Sequence, residues 1–230
     1  REPVLVVLEG VGGVGKTAVA ERFLAERPSK WIGRGRFGES GRPLEGMLEA
    51  VNTAMRARLQ GEDLDALSGE VLAAAGGELP RLVRAVPRLA QLAPNTTAPP
   101  QPPRGASGAR TPFDLLLARL VAACATDDPV VLFLDDLHAA DPPSLRCIES
   151  LLDHKGAGVL LICTARGPKP MLRRWLGNLE TRRLAVERVN LAELELEETE
   201  QLIDGLFIGT IKHLRGLAST VFHATGGNPF

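Results

Sequence analysis

Residues 10–17 read GVGGVGKT and follow the apolar run Val4, Leu5, Val6, Val7, Leu8. The stretch fits G-x-x-x-x-G-K-[ST], with Gly10, Gly15, Lys16 and Thr17 at the fixed positions. The chemistry explains the spelling. A chain that curls around a phosphate must aim several backbone N–H groups at one anion, and glycine reaches the necessary positive φ without a Cβ clash. Gly10, Gly12, Gly13 and Gly15 supply that freedom. A helix opening near Gly15 then turns its unpaired amides and positive dipole end toward the anion. The bland alternative is a glycine-rich turn that happens to precede a lysine. The strand before and the helix after argue against it.

The nucleotide cradle is therefore expected to comprise Gly10, Val11, Gly12, Gly13, Val14, Gly15, Lys16, Thr17 and Ala18. Lys16 is expected to reach the β- and γ-phosphate oxygens, and the Thr17 hydroxyl to take one Mg²⁺ position. Pro28 should close the first helix, with Val19, Ala20, Phe23 and Leu24 on its buried face.

Working outward, Trp31 to Phe37 (WIGRGRF) reads as a short strand weakened by Gly33 and Gly35. Residues 43–60 and 64–75 read as helices, and Pro80 and Pro87 break 79–92 into two short helical pieces. From Ala93 to Pro112 there are six prolines and no apolar period, the composition of a flexible, solvated loop. An amphipathic helix begins at Phe113 and stops at Asp127-Asp128-Pro129.

Then comes VVLFLDDLH, 130–138. Five consecutive apolar residues bounded by turn signals suit a strand buried on both faces of a parallel sheet. Asp135 at its end is the expected Mg²⁺-holding carboxylate. Asp136 beside it is placed to orient or polarise an attacking water. The alternative for the pair is a polar strand end facing solvent.

Asp141-Pro142 reads as N-cap and first helical position. Another buried strand, Val159 to Thr164, leads into Ala165-Arg166. Arg166 is expected to bond the γ-phosphate and sense hydrolysis, against the alternative of a surface arginine at a strand exit. His138 either meets the substrate water or packs against the next helix, and packing is preferred. Arg182 to Val189 alternates as a final strand, followed by helices near 197–207 and 212–223. Alternating strands and helices indicate a doubly wound α/β sheet, with a helical and proline-rich insertion between the second and third strands. The phosphate loop and the twin aspartates are expected on neighbouring strands, facing one Mg²⁺-bound triphosphate.

Composition narrows the function. A net charge of −1 and a pI near 6.5 give no general footprint for nucleic acid. Cys124, Cys147 and Cys163 lack pairing or C-x-x-C spacing and read as core residues of a reduced, cytoplasmic protein. The histidines show no metal-ligand spacing, and no run approaches the roughly 18 apolar residues of a membrane span.

With these pieces placed, the chain resembles the AAA-type ATPase domain of STAND signalling proteins. The likeness is greatest to "predictive ATPase" modules of bacterial LuxR-type regulators, adenylate cyclases and multidomain kinases. It rests on GVGGVGKT at 10–17, LFLDDLHAADPPSLR at 132–146, LLICTAR at 160–166 and ATGGNPF at 224–230. The resemblance implies a P-loop NTPase that binds ATP and Mg²⁺, with Arg166 as sensor 1 and Gly227-Asn228-Pro229 packed near the adenine. A helix C-cap is the alternative for Gly226 to Pro229. The chain departs from the family at Gly167-Pro168-Lys169, where members commonly carry a short acidic segment.

The expected organisation is one ATPase domain over 1–230, excised from a larger protein. It would carry a helical insertion at 43–92, a flexible loop at 93–112 and a C-terminal helical part at 190–230. The expected function is slow, Mg²⁺-dependent ATP hydrolysis that switches an attached effector under a sensor of the same parent chain, with scope for a nucleotide-dependent oligomer. Two alternatives stand beside it. One is a nucleic-acid-associated ATPase like origin-recognition or loader proteins, using arginines at 81, 84 and 88 or at 173, 174, 182 and 183. The other is a nucleotide-bound scaffold without hydrolysis.

Overall fold

The computed structural model describes residues 2–26, 31–38, 42–59, 64–92, 111–125, 129–167, 169–206 and 214–230. Expectations for Pro28, for 93–110, for the stop at Asp127-Asp128, for Pro168 and for the start of the last helix at 212 fall outside these residues. Among the described residues, five strands form one sheet: β1 (Val4–Gly10), β2 (Trp31–Arg36), β3 (Val130–Asp135), β4 (Val159–Arg166) and β5 (Val186–Asn190). Every pairing is parallel, and the order is β2-β3-β4-β1-β5.

The helices are α1 (Lys16–Glu26), α2 (Glu45–Arg58), α3 (Leu64–Ala75), α4 (Leu79–Ala85), α5 (Phe113–Cys124), α6 (Pro142–Asp153), α7 (Pro170–Thr181), α8 (Leu196–Leu206) and α9 (Leu214–Thr225). Helices α2 to α5 are the insertion between β2 and β3. Among the described residues, no helix is long and apolar enough to cross a membrane.

The unbroken apolar run of β3 follows from its place inside the sheet. Leu132 and Leu134 enter one core, built with α2 and α5 to α7, while Val131 and Phe133 enter the other, under α1. Alternate side chains of a strand leave opposite faces, so a strand covered on both sides needs apolar residues at every position. The two faces are unequal. In the smaller core, α1 contributes only Ala20 and Leu24. Val19 and Phe23, expected to be buried, are 48% and 42% exposed. Lying over the sheet, α1 buries one narrow row of apolar residues there.

The glycines that weakened the β2 expectation are what let α2 dock. A Cβ at Gly35 would sit 1.9 Å from the Gly46 carbonyl oxygen, and one at Gly33 would sit 2.3 Å from that of Ala50. Helix and strand backbones therefore meet directly, which no larger residue permits.

Two expectations need correction, and one helix is additional. The loop after β1 and the aspartates after β3 do not lie on neighbouring strands, because β4 runs between them. The last strand begins at Val186 rather than at 182: Arg182 and Arg183 end α7, with Arg183 in the left-handed region at φ 57°. Helix α7 was not foreseen. Its inward residues Leu172, Trp175, Leu176 and Leu179 have helical spacing after Pro170 at the first turn, a signal present in the sequence.

Register levels the functional ends of the strands. Gly10 stands opposite Arg166 across β1 and β4, and Arg36 stands opposite Asp135 across β2 and β3. All four leave the carboxyl edge of the sheet, where open α/β sheets place their ligands.

Candidate functional site

The glycine loop takes the backbone shape its composition allows. Gly13 and Gly15 have φ values of +85° and +97°, which side chains rarely adopt. Lys16 folds back over the loop and is buried. Its ammonium donates to the carbonyls of Val11 at 2.6 Å and Gly10 at 3.0 Å. Burial lowers the pKa of that ammonium below its ordinary value, and the Arg166 guanidinium lowers it further, while Asp136 and Asp135 pull it back up.

Thr17 and Asp135 come from positions 118 residues apart, yet the Thr17 hydroxyl donates to Asp135 Oδ1 over 3.2 Å. A hydroxyl and a carboxylate in contact are the hard oxygen donors that Mg²⁺ takes when substrate phosphates and water complete its shell. The residues present fit that ion. Asp135 is held further by the buried Thr164, whose hydroxyl donates to the same Oδ1 at 2.5 Å and accepts the Asp136 N–H at 3.0 Å. One threonine thus sets both aspartates.

Asp136 has left-handed backbone, φ 59°, at the turn that follows β3. Its carboxylate is mostly buried, but the guanidiniums around it are largely exposed. Arg36 closes a fork on Oδ2, with Nε at 3.0 Å and Nη2 at 2.8 Å. Arg166 Nε lies 3.5 Å from Oδ1. The Arg36 side chain is 63% exposed and that of Arg166 58%, against 13% for Asp136. The hydrogen bonds to Asp136 raise the already high Arg36 pKa. Glu49 of α2 accepts the Arg36 N–H at 2.9 Å, tying the insertion to the site.

His138 sits in the same cluster. The Arg166 backbone N–H donates to its Nδ1 at 3.3 Å, and Asp136 Oδ1 is 3.7 Å from that nitrogen. A main-chain N–H can only donate, so Nδ1 is the bare nitrogen and the ring is neutral. Burial holds its pKa below the usual histidine value. Asp136 opposes this, and Lys169, Arg166 and Lys16 reinforce it.

Asp141 caps α6 as expected, accepting from the Ser144 N–H at 2.9 Å. It also accepts the N–H of Leu44, the left-handed residue that starts α2. The C-terminal turn bears out the helix-cap reading. Gly226 ends α9 with φ +63° and an N–H to the Phe222 carbonyl, a helix cap. Beyond it, Asn228 donates to the Gly12 carbonyl at 2.8 Å, which places the turn on the phosphate loop, with Pro229 exposed.

The structure therefore gathers Lys16, Thr17, Asp135, Asp136 and Arg166 at one sheet edge. It adds Arg36, Thr164 and Glu49, which sequence reasoning missed. Thr164 left a trace as the polar residue closing an otherwise apolar strand; Arg36 and Glu49 left none. Of the arginines considered for nucleic acid, Arg81 pairs with Glu78, and Arg182 pairs with Asp153 at 2.5 Å and Glu149 at 3.4 Å. The three cysteines are free and buried, and burial raises the Cys124 thiol pKa to about 12.

Among solved structures, the chain is similar to a Signal Transduction ATPase with Numerous Domains (STAND) protein with a tetratricopeptide repeat sensor from Pyrococcus horikoshii. That match has 16% identity over 99% of this chain and 26% of the other, with a TM-score of 0.48. It is also similar to the Drosophila ORC bound to DNA, with 14% identity over 96% of this chain and 44% of that one, and a TM-score of 0.45. The chain thus spans about a quarter of the first of these proteins and less than half of the second. No curated protein matches it. A family profile described as the AAA ATPase domain matches residues 1–162, a stretch that holds the glycine loop and both aspartates. The chain belongs to the AAA ATPase domain family.

Proposed function

We propose that the chain is the STAND-type regulatory ATPase module of a longer protein. It would bind ATP with Mg²⁺, hydrolyse it slowly, and pass the change in the bound nucleotide to an effector of the same parent chain. The observation that carries this reading is the 3.2 Å contact of Thr17 with Asp135, beside Asp136. It brings the phosphate loop and the acidic strand end onto one point.

The residues divide the work. Lys16 exchanges the carbonyls of Gly10 and Val11 for β- and γ-phosphate oxygens, and the loop amides take the β-phosphate. Thr17 and Asp135 hold Mg²⁺, which when bound offsets charge on the phosphates. Asp136 orients a water and takes its proton as the oxygen attacks the γ-phosphorus. The bond to the β,γ-bridging oxygen breaks, and ADP leaves with that electron pair. Arg166 places its guanidinium against the γ-phosphate, so it distinguishes ATP from ADP.

Slow turnover is in keeping with the Arg36 fork, which occupies Asp136 Oδ2 and competes with water for it. The STAND assignment is supported by the four quoted motifs, and an effector beyond this module is part of that proposal. Of the seven arginines considered for nucleic acid, Arg81 and Arg182 are engaged by Glu78, Glu149 and Asp153, which makes those two less available to phosphates.

Phosphate release from ATP, followed in a single turnover, tests the assignment. Release should need Mg²⁺ and proceed on the order of 10⁻⁴ to 10⁻² per second. Tight ATP binding with no release would convert the reading to a nucleotide-bound scaffold. Absence of ATP binding would end it.

A further inference from the structure

We infer that Asn228 is a positioning residue of the phosphate loop: its carboxamide pins the Gly12 carbonyl outward and thereby turns the Gly13 N–H toward the anion. The inference rests on the nucleotide-binding reading above and adds to it a link from the last helices to phosphate affinity.

The loop carbonyls divide into two sets. Those of Gly10 and Val11 are held by Lys16, and that of Gly12 by Asn228 Nδ2 at 2.8 Å. In a trans peptide the C=O and the following N–H point in opposite directions. Fixing the Gly12 oxygen toward Asn228 therefore directs the Gly13 N–H to the opposite side. An amide already aimed need not be ordered when the ligand arrives, and that raises affinity.

The carboxamide can serve in one orientation only. Its Oδ1 accepts the Phe230 N–H at 3.1 Å, which leaves Nδ2 for Gly12. Space is shared as closely as hydrogen bonds. A Cβ at Gly13 would lie 2.6 Å from Asn228 Oδ1 and 2.9 Å from the Phe230 Cβ. The turn that carries Asn228 is itself anchored. Leu194 donates to the Gly227 carbonyl at 2.8 Å, and Gly227 passes so near the Leu194 oxygen that a Cβ there would lie 2.0 Å away. Leu191 in turn donates to Glu9 at the end of β1, over 2.7 Å. The connector between β5 and α8 is thus clamped between β1 and the turn after α9, and a shift of the α8–α9 pair would release Gly12.

The test compares the full chain with Asn228→Ala and Asn228→Asp, using ADP and inorganic pyrophosphate as ligands. Asn228→Ala should weaken both ligands by the same factor, about five- to tenfold, the scale of one hydrogen bond. Asn228→Asp keeps the acceptor for Phe230 but faces an oxygen to the Gly12 carbonyl, so it should lose about thirtyfold or more. Thermal midpoints should stay within about 3 °C of the parent. Unchanged pyrophosphate affinity in Asn228→Ala overturns the inference. So does a loss confined to ADP, which would mark a base contact, or a loss that Asn228→Asp does not share. A parent chain that binds no nucleotide overturns the ATPase reading and this inference together.

Discussion

The phosphate loop and the Asp136 cluster share one edge of the sheet but are held by different means. The loop is held through its main chain: positive φ at Gly13 and Gly15, and carbonyls that accept from the side chains of Lys16 and Asn228. Asp136 is held by side chains, two of them guanidiniums more than half exposed. Backbone closed around a buried ammonium has few alternatives. Exposed arginine side chains exchange rotamers and water readily, and a surface ion pair contributes little to stability. The comparison teaches that the loop is closed tightly by its own contacts, Lys16 included, whereas the Asp136 cluster is adjustable.

Substitutions can break that comparison or sharpen it. The largest effect is expected for Lys16→Ala, which removes the one buried cation of the loop: ATP affinity should fall about a hundredfold or more in a binding titration. Stability should hold, because a desolvated ammonium is lost with it. A loss of less than threefold would show that the loop backbone alone sets affinity.

Arg36→Ala acts on the adjustable half. Freed of its fork, Asp136 should serve water in a larger fraction of molecules, raising steady-state turnover about three- to tenfold with ATP affinity little changed. A tenfold fall would instead make Arg36 a cation that the reaction needs.

The smallest effect concerns His138. Its pKa is held below the usual 6.5, so folding excludes a proton that the unfolded chain takes up near that pH. The stability that the neutral ring confers is complete above about pH 6.5 and declines as pH falls toward the lower folded value. Thermal midpoints measured from pH 7 to pH 5 should therefore drop further in the parent chain than in His138→Gln. Parallel profiles would show that His138 does not carry the change.

How much could be read in advance follows the same division. The loop was visible because its residues are consecutive and glycine has a defined conformational use there. The β3 run was visible because burial on two faces leaves no polar position. Gly33 and Gly35 misled, since the reason for them is the α2 backbone, and nothing in WIGRGRF announces a helix lying on it. Arg36 was invisible as a partner of Asp136: the two are 100 residues apart and meet only through the register of β2 on β3. Strand order was hidden for the same reason, so β4 between β1 and β3 came as a correction. Asn228 carried a resemblance to an adenine-side motif, but its contact with Gly12 spans 216 positions.

The claim that binding and chemistry reside in separate halves is tested most directly by Asp136→Asn, measured for ATP affinity and for single-turnover phosphate release on the same preparation. The amide retains size and shape but cannot take a proton from water. Affinity should remain within about threefold of the parent, and release should slow by about a hundredfold or more. Equal losses in affinity and rate would contradict the division and place Asp136 in the cradle itself.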